Sequence, residues 1–277
     1  MGEFTTSDGV TLRWIEKGSG RPLVMIPGWS QGAEQFQDQI DGLSGRHRVI
    51  ALDMRGHGFS DKPDHGYRVA RLAADLKEFL DGLGLERVIA AGHSMGTSVL
   101  WSHFDLFGPG RITDAIFIDQ APACTARPNW TETEKLEAGC LFTPESLAAT
   151  AASLAGADGV AVTEGFVGGM FGKDFSSDKL ARVVELNLML PRKHAAALLV
   201  DHCTQDWRDV IPKITWRTLV IGGRASIFSA VSQAWVARQI KGARAEIFEE
   251  AEGGRHFMFM ENVAKSNRLM STFVGNG

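Results

Sequence analysis

Short, fully apolar runs alternate with amphipathic segments over the first 120 residues of the chain. Each run is four residues long and ends close to a Pro, Gly or Asp, which is typical of strands buried on both faces of a parallel sheet. The four runs are residues 23–26, 49–52, 88–91 and 115–118. Helical periodicity follows at residues 70–80 and 95–107, so this part of the chain predicts right-handed βαβ crossovers.

The alternation stops at about residue 120 and resumes at about residue 211. The intervening segment contains no buried-strand run, and its pattern predicts four helices, at residues 132–140, 144–154, 178–190 and 194–203. A strand at 218–221, a helix at 230–240, a strand at 245–248 and a helix from 257 follow. The pattern therefore predicts an α/β core domain, residues 1–120 and 211–277, with a helical cap, or lid, at residues 121–210.

Near the start of the chain, strand formers occupy residues 10–16, directly after a turn at Asp8 and Gly9. This pattern predicts an antiparallel hairpin at one edge of the sheet.

Composition narrows the classes of function without choosing one. The 277 residues are 44% hydrophobic, enough for one large α/β domain, and the net charge of −4 argues against a nucleic-acid partner. No signal peptide and no apolar stretch of membrane-spanning length is visible, so we expect a cytoplasmic protein with no membrane partner, either a monomer or a homodimer. Cys124, Cys140 and Cys203 are widely spaced, so we expect reduced thiols, no bound metal and no cofactor.

The segment with the clearest chemical meaning is Gly92-His93-Ser94-Met95-Gly96. A serine hydroxyl becomes a nucleophile only when it is held exposed and given a base. A sharp strand-to-helix turn holds it in this way, and only small residues fit two positions before and after the serine. Because the segment follows a predicted buried strand and opens a predicted helix, we interpret Ser94 as the nucleophile rather than part of a structural glycine turn.

Two further segments supply partners for such a serine. Pro27-Gly28-Trp29 follows the first apolar run, and the Trp29 amide is predicted to form an oxyanion hole with the Met95 amide. His256 lies in a glycine-rich loop after the last predicted strand, where a general base is able to reach the serine.

These segments together resemble the α/β-hydrolase-fold superfamily, in its serine esterase and lactonase-like branch. The residues that carry the resemblance are 27–29, 53–60, 92–96 and 254–257. The resemblance implies an eight-stranded, mostly parallel sheet with helices on both faces, a helical cap inserted after the sixth strand, and a Ser-acid-His triad. It also implies that Asp53, Arg55 and His57 are structural, so His57 is not the predicted base.

The chain departs from the family pattern at the triad acid, which usually follows the seventh strand. That loop, residues 222–228, has no carboxylate, and Ser226 stands about where an Asp is expected. Some branches of the superfamily place the acid after the sixth strand, where this chain has Asp119. We therefore predict the triad Ser94, Asp119 and His256, whose order along the chain is that of the family. Glu249 and Glu250 are weaker candidates.

Apolar side chains of the predicted cap and around the elbow indicate the substrate class. We expect them to favour a hydrophobic ester or lactone of small size over a sugar or a phosphate. The predicted substrate-binding residues are Trp29, His93, Trp130, Phe142, Phe166, Met170, Phe171, Trp207 and Phe257.

The leading hypothesis is hydrolysis of a carboxylic ester or lactone through an acyl-enzyme. Cofactor-free oxygenation, perhydrolysis and C–C bond hydrolysis on the same fold stay open as alternatives, as does a non-catalytic, hormone-receptor-like binder that retains the triad. A haloalkane dehalogenase is disfavoured, because its nucleophile would be an Asp at position 94.

Overall fold

Eight strands form one sheet in the computed structural model, which describes residues 1–275. The strands are β1 (Gly2–Thr5), β2 (Thr11–Lys17), β3 (Pro22–Ile26), β4 (Arg48–Asp53), β5 (Val88–His93), β6 (Ile112–Ile118), β7 (Arg217–Gly223) and β8 (Arg244–Phe248). Their order across the sheet is β1-β2-β4-β3-β5-β6-β7-β8. β2 is antiparallel to both β1 and β4, and all other neighbours are parallel. The predicted mostly parallel sheet and the edge hairpin are confirmed.

Helices connect these strands and fill the segment between β6 and β7. They are α1 (Gln37–Leu43), α2 (Val69–Gly82), α3 (Met95–Phe107), α4 (Glu132–Ala138), α5 (Pro144–Ala155), α6 (Gly159–Gly168), α7 (Ser177–Leu188), α8 (Arg192–Cys203), α9 (Ala230–Gln239), α10 (Met258–Glu261) and α11 (Val263–Gly275). We call residues 121–210, which contain α4 to α8, the helical insertion. The last two residues of the predicted core range, 276 and 277, lie outside the described residues.

The pattern of apolar residues does not predict three of the observed strands and helices. β1 is a four-residue edge strand whose side chains are only half-buried or exposed, so it has no apolar run. α1 buries only three of its seven residues, one of which is a Gln. α6 contains Gly159, Gly165 and Gly168, so the glycine-rich segment of residues 165–172 is helical up to Gly168. Glycine lowers helix propensity, so tertiary packing decides the conformation here.

Alternating side chains of the central strands supply a core on each face of the sheet. In β3, Val24 and Ile26 pack into one cluster, which also contains residues of α2, α3 and α9. Leu23 and Met25 point the other way, into a second cluster with residues of α1 and α11. Burial on both faces explains why the strand has no polar position. Among residues 1–275, no helix is long and apolar enough to cross a membrane.

The segment after β4 forms structural contacts, as the resemblance implies. The Asp53 carboxylate accepts hydrogen bonds from the Ala33 amide at 2.6 Å and from the Phe59 amide at 2.9 Å. The fully buried Arg55 donates to both oxygens of Asp75, at 2.8 and 2.9 Å. His57 is fully buried, and its Nδ1 lies 2.9 Å from the Arg55 carbonyl oxygen. These side chains fix the loop beneath the carboxyl edge of the sheet.

We expect the fold to lose stability as the pH falls below about 6.5, the ordinary pKa of histidine. Burial lowers the pKa of five histidines, because it disfavours the charged imidazolium, and lowers that of His57 to about 4. The five are His47, His57, His93, His103 and His256. The unfolded chain takes up protons first, so each such histidine removes up to about 1.4 kcal/mol of unfolding free energy per pH unit until its folded pKa is reached.

Urea denaturation at several values between about pH 8 and 5 measures this slope. His57→Gln should make the slope shallower, and His65→Gln, at an exposed histidine, should leave it unchanged. An unfolding free energy that does not fall over this range would contradict the prediction.

Candidate active site

Ser94 stands at the turn between β5 and α3, at the carboxyl edge of the sheet. Its backbone has φ 50° and ψ −128°, a conformation that residues with a side chain rarely adopt. Its amide donates to the Ile118 carbonyl oxygen at 2.8 Å, which ties the turn to the end of β6. Strain of this kind persists only where the surrounding structure enforces it, and it clusters at functional sites.

Close backbone contacts explain the two glycines around the serine. A Cβ on Gly92 would lie 2.6 Å from the Gly96 carbonyl carbon and from the Thr97 amide nitrogen. A Cβ on Gly96 would collide with the carbonyl oxygens of Ile26 and Pro27. The steric reason for small residues at these two positions is therefore present in the structure.

His256 and Asp119 form a buried pair beside this turn. His256 lies between β8 and α10, Asp119 directly follows β6, and Nδ1 of the imidazole is 2.6 Å from Oδ2 of the carboxylate. Asp119 is fully buried and His256 is 3% exposed. Burial lowers the pKa of His256 well below its ordinary value, so its resting form is the neutral imidazole that a general base requires.

The Asp119 carboxylate has two further partners on the loop after β7. The Ser226 hydroxyl donates to Oδ2, and the Gly223 amide donates to Oδ1 at 3.4 Å. Burial raises the pKa of Asp119 to about 8, and the two hydrogen bonds oppose part of this rise because they favour the carboxylate. Ser226 therefore contacts the acid from the position where the family pattern usually has the acid itself.

The loop after β3 passes directly beside Ser94. A Cβ on Gly28 would lie 3.1 Å from the Ser94 Cβ, so the next amide, that of Trp29, is close to the serine. Within the described residues, neither this amide nor that of Met95 donates a hydrogen bond. The Trp29 indole Nε1 donates to the Ala195 carbonyl oxygen at 2.8 Å, which holds the ring against the helical insertion.

A family model described as alpha/beta hydrolase fold matches residues 21–263. The chain belongs to this family.

Individual members of the α/β-hydrolase family show how far the similarity extends. The non-heme chloroperoxidase CPO-A1 of Kitasatospora aureofaciens is 37% identical over 119 residues, which is 43% of each chain. The first curated relatives are thus matched over less than half of their length. The AB hydrolase superfamily protein YisY of Bacillus subtilis is 28% identical over 99% of both chains. Among solved structures, the esterase EaEST of Exiguobacterium antarcticum has a TM-score of 0.90 at 25% identity, covering 99% of this chain and 100% of its own.

In this hydrolase-fold chain, Ser94 and His256 line one cavity of about 40 Å³. Six of the nine predicted substrate-binding residues also line it: Trp29, His93, Phe142, Phe166, Met170 and Phe257. His93 lies behind the turn, with its Nε2 3.0 Å from the His256 carbonyl oxygen. The structure therefore brings the predicted serine, histidine and acid together with most of the predicted apolar wall.

Three predicted substrate-binding residues lie outside this cavity. Trp130 is half-buried, and the Arg208 guanidinium lies over its ring, 4.1 Å from the ring centroid. Phe171 stacks on Phe257, with ring centroids 4.4 Å apart, and so supports the wall from behind. Trp207 packs against Trp101 in the core above α3. Each is an aromatic residue used for packing, which is the commoner use of such residues.

Several other residues that line the cavity are not among the predicted substrate-binding residues. They are Gly28, Gln31, Leu141, Val167, Asn187, Leu199, His202, Cys203, Ile227 and Phe228. Leu199, His202 and Cys203 are spaced i, i+3, i+4 on α8, so helical periodicity marks them as one face. Nothing in the sequence indicates that this face meets Ser94, because that depends on how the insertion folds back over the sheet.

Proposed function

We propose that this hydrolase-fold enzyme is a serine hydrolase that cleaves a carboxylic ester or lactone of a small, largely hydrophobic substrate through an acyl-enzyme. The observation that carries the proposal is the strained Ser94 in the same cavity as a His256 held by Asp119 at 2.6 Å. A nucleophile, a base and a group that orients the base are the minimal set for such chemistry.

In this proposal, His256 Nε2 takes the proton of Ser94 while Oγ attacks the substrate carbonyl carbon. The Asp119 carboxylate accepts a hydrogen bond from Nδ1–H of His256, fixes that tautomer and stabilises the imidazolium. The Trp29 and Met95 amides hold the tetrahedral oxyanion, a role worth about 10²–10³ in rate per donor. His256 then protonates the leaving alkoxide, and a water deprotonated by His256 releases the acid and restores Ser94.

We also propose that residues 121–210 act as the cap of this site, over a core of residues 1–120 and 211–277. The insertion supplies the cavity-lining residues Phe142, Phe166, Met170, Leu199 and Cys203. The wall is largely apolar, which suits the hydrocarbon part of an ester.

A fluorophosphonate tests the proposed function before any natural substrate is known. The activated Oγ displaces fluoride from phosphorus and forms a stable covalent adduct. We expect one adduct per chain, on the peptide that contains Ser94, and loss of p-nitrophenyl acetate hydrolysis in proportion to labelling. An unlabelled but folded protein would contradict the proposal, and the non-catalytic binder would then be the better hypothesis.

Perhydrolysis is the second candidate, favoured by the similarity to non-heme chloroperoxidases. Hydrogen peroxide would replace water in the second half-reaction, so that acetate and peroxide give peracetate and water. Peracid formation at a rate above that of p-nitrophenyl acetate hydrolysis would favour this function. Oxygen uptake with hydroxyquinolone-type substrates would instead favour cofactor-free oxygenation.

The size of the cavity predicts a preference for short acyl chains. The cavity volume is only about 40 Å³, so an acetyl or propionyl group should fit beside Ser94 more easily than a long acyl chain. Phe166→Ala removes a ring that packs edge-on to Trp29, at 6.0 Å between centroids. The space left by the ring should accept further methylenes of a long acyl chain, each worth about 1 kcal/mol when buried. We therefore expect this variant to raise kcat/KM for p-nitrophenyl octanoate about 10-fold relative to the acetate.

Val160→Ala is the matched control, because Val160 is on the exposed side of the same helix, α6. It should leave the ratio of octanoate to acetate turnover unchanged. A wild-type enzyme that already prefers the octanoate ester would overturn the prediction.

A further inference from the structure

Two cysteines and a histidine meet in the wall of the candidate active site. Cys124 follows β6, and His202 and Cys203 end α8. One possible ligand atom from each lies within 4.8 Å of the other two, and Cys124 Sγ is 3.9 Å from His202 Nε2. All three are buried, at 2%, 4% and 3% exposure. The mechanism proposed above uses none of them.

From this juxtaposition we propose that Cys124, His202 and Cys203 form a binding site for Zn²⁺ or a similarly thiophilic metal ion. Ligand atoms around a tetrahedral Zn²⁺ stand about 3.5–3.8 Å apart, given Zn–S of about 2.3 Å and Zn–N of about 2.0 Å. Cys124 Sγ and His202 Nε2, at 3.9 Å, need to approach by about 0.4 Å, and the other two pairs, within 4.8 Å, by no more than about 1.3 Å. Two thiolates and a neutral imidazole around a divalent ion carry no net charge, which reduces the cost of burying them.

The surroundings hold the two halves of the site together. The backbone at Ala123 forms a bridge with Asp206, and the Trp207 amide donates to the Pro122 carbonyl oxygen at 2.9 Å. Cys124 is thereby fixed against the segment that follows Cys203. This arrangement explains why a pair of ligands 78 residues apart is positioned without a short metal-binding motif.

Hydrogen bonding around the three side chains also suits a metal. Gln120 Nε2 donates to Cys124 Sγ at 3.4 Å, a contact that stabilises a thiolate, the form that binds metal. His202 Nδ1 is buried and has no hydrogen-bond partner in residues 1–275, and Nε2 has only the long contact with sulfur. A buried imidazole without a strong partner is costly, and coordination would supply one.

The fourth coordination position would face the cavity. His202 and Cys203 line the cavity that contains Ser94, whereas Cys124 is not among the residues that line it. An ion could therefore enter by the substrate route and bind a water there, as zinc sites with three protein ligands do. Soft sulfur ligands select Zn²⁺, Cd²⁺ or Cu⁺ over Mg²⁺ and Ca²⁺.

Titration with Co²⁺ tests the site, because tetrahedral cobalt–thiolate centres absorb strongly in the near-ultraviolet and visible ranges. The protein is purified with reductant and chelator, freed of both, and titrated under nitrogen. We expect one Co²⁺ per chain, a thiolate-to-cobalt charge-transfer band, displacement by Zn²⁺ and a rise in Tm with Zn²⁺. The readout does not depend on the proposed hydrolase activity.

Variants assign the ligands. Cys124→Ser and Cys203→Ser should weaken binding by more than the roughly 10–100-fold that loss of an outer-shell partner costs, and Gln120→Leu should fall within that range. Cys140→Ser is the matched control, because this third cysteine lies outside the group. The Cys140→Ser protein should bind the metal as tightly as the wild type does.

The wild-type titration decides the proposal even if a ligand variant fails to fold. No stoichiometric binding to the reduced wild-type protein would overturn it. A Cys124–Cys203 disulfide that persists in reductant, with no metal bound, would also overturn it, as would unchanged affinity in the folded Cys124→Ser and Cys203→Ser variants.

Discussion

Ser94→Ala is expected to lower kcat for p-nitrophenyl acetate by about 10⁵–10⁶-fold, while the fold survives. The variant removes the only atom that would bond to the acyl group and leaves the backbone of the turn in place. Binding and the two candidate oxyanion amides remain, so a small residual rate above that in water is expected. Initial rates of p-nitrophenyl acetate hydrolysis measure the turnover, and fluorophosphonate labelling reports the presence of the activated nucleophile.

Ser98→Ala is the matched control for this substitution. Ser98 is a buried serine one helical turn further along α3 and lies outside the set of cavity-lining residues. It should be labelled and should turn over substrate like the wild type. Full activity in Ser94→Ala, or equal loss in Ser98→Ala, would contradict the assignment of the nucleophile.

The stability of variants at position 94 gives an independent test of the backbone strain at this turn. Ser94 has a positive φ of 50°, so Ser94→Ala keeps the backbone strain and Ser94→Gly relieves it. We expect the glycine variant to have an unfolding free energy about 1 kcal/mol above that of the alanine variant, although both are inactive. Equal stability of the two variants would mean that the turn stores no strain.

The catalytic candidates were predictable from the sequence because local rules fix them. Buried runs end at the carboxyl edge of a parallel sheet, so Asp119 after β6 and His256 after β8 were expected at one edge with Ser94. The glycines around Ser94 follow from contacts of under 3 Å with neighbouring backbone, which any tight strand-to-helix turn imposes.

The cavity wall was predictable only in part, because it depends on how the helical insertion packs. An aromatic residue in this segment either lines the cavity, as Phe142 does, or packs elsewhere, as Trp130 does against Arg208, and composition does not separate the two. The group of Cys124, His202 and Cys203 could not be predicted from the sequence for the same reason. Its members are distant in the chain and become neighbours only when α8 packs beside the segment after β6.

Asp119→Asn is expected to lower kcat/KM by about 10⁴-fold, through the tautomer of His256. An amide NH₂ in place of Oδ2 would donate to Nδ1, which moves the imidazole proton to Nε2 and removes the base. The positive φ of 50° at this position is tolerated by Asn, so the backbone should be preserved.

Ser226→Ala removes a hydrogen-bond donor from the Asp119 carboxylate and leaves the carboxylate itself in place. We expect a loss of no more than about 10²-fold in kcat/KM, because a hydrogen bond to a charged group contributes about 1.5–3 kcal/mol. The Ser226 hydroxyl lowers the pKa of Asp119, so its removal raises that pKa. Because the carboxylate is the active form, the acid limb of the profile of kcat/KM against pH should move to higher pH. If Ser226→Ala is crippled and Asp119→Asn is not, the assignment of the acid is wrong.

A double variant tests whether the role of Asp119 requires only a negative charge beside His256 or also its position in the chain. Because Ser226 Oγ is hydrogen-bonded to Asp119 Oδ2, a carboxylate at position 226 would stand beside the same edge of His256. We expect Asp119→Asn with Ser226→Asp to recover at least about 10-fold of the kcat/KM lost in Asp119→Asn alone, since a negative charge again stabilises the imidazolium. Recovery would show that the loops after β6 and β7 are alternative positions for one electrostatic role. A double variant as inactive as Asp119→Asn would instead show that this role requires the backbone position of residue 119.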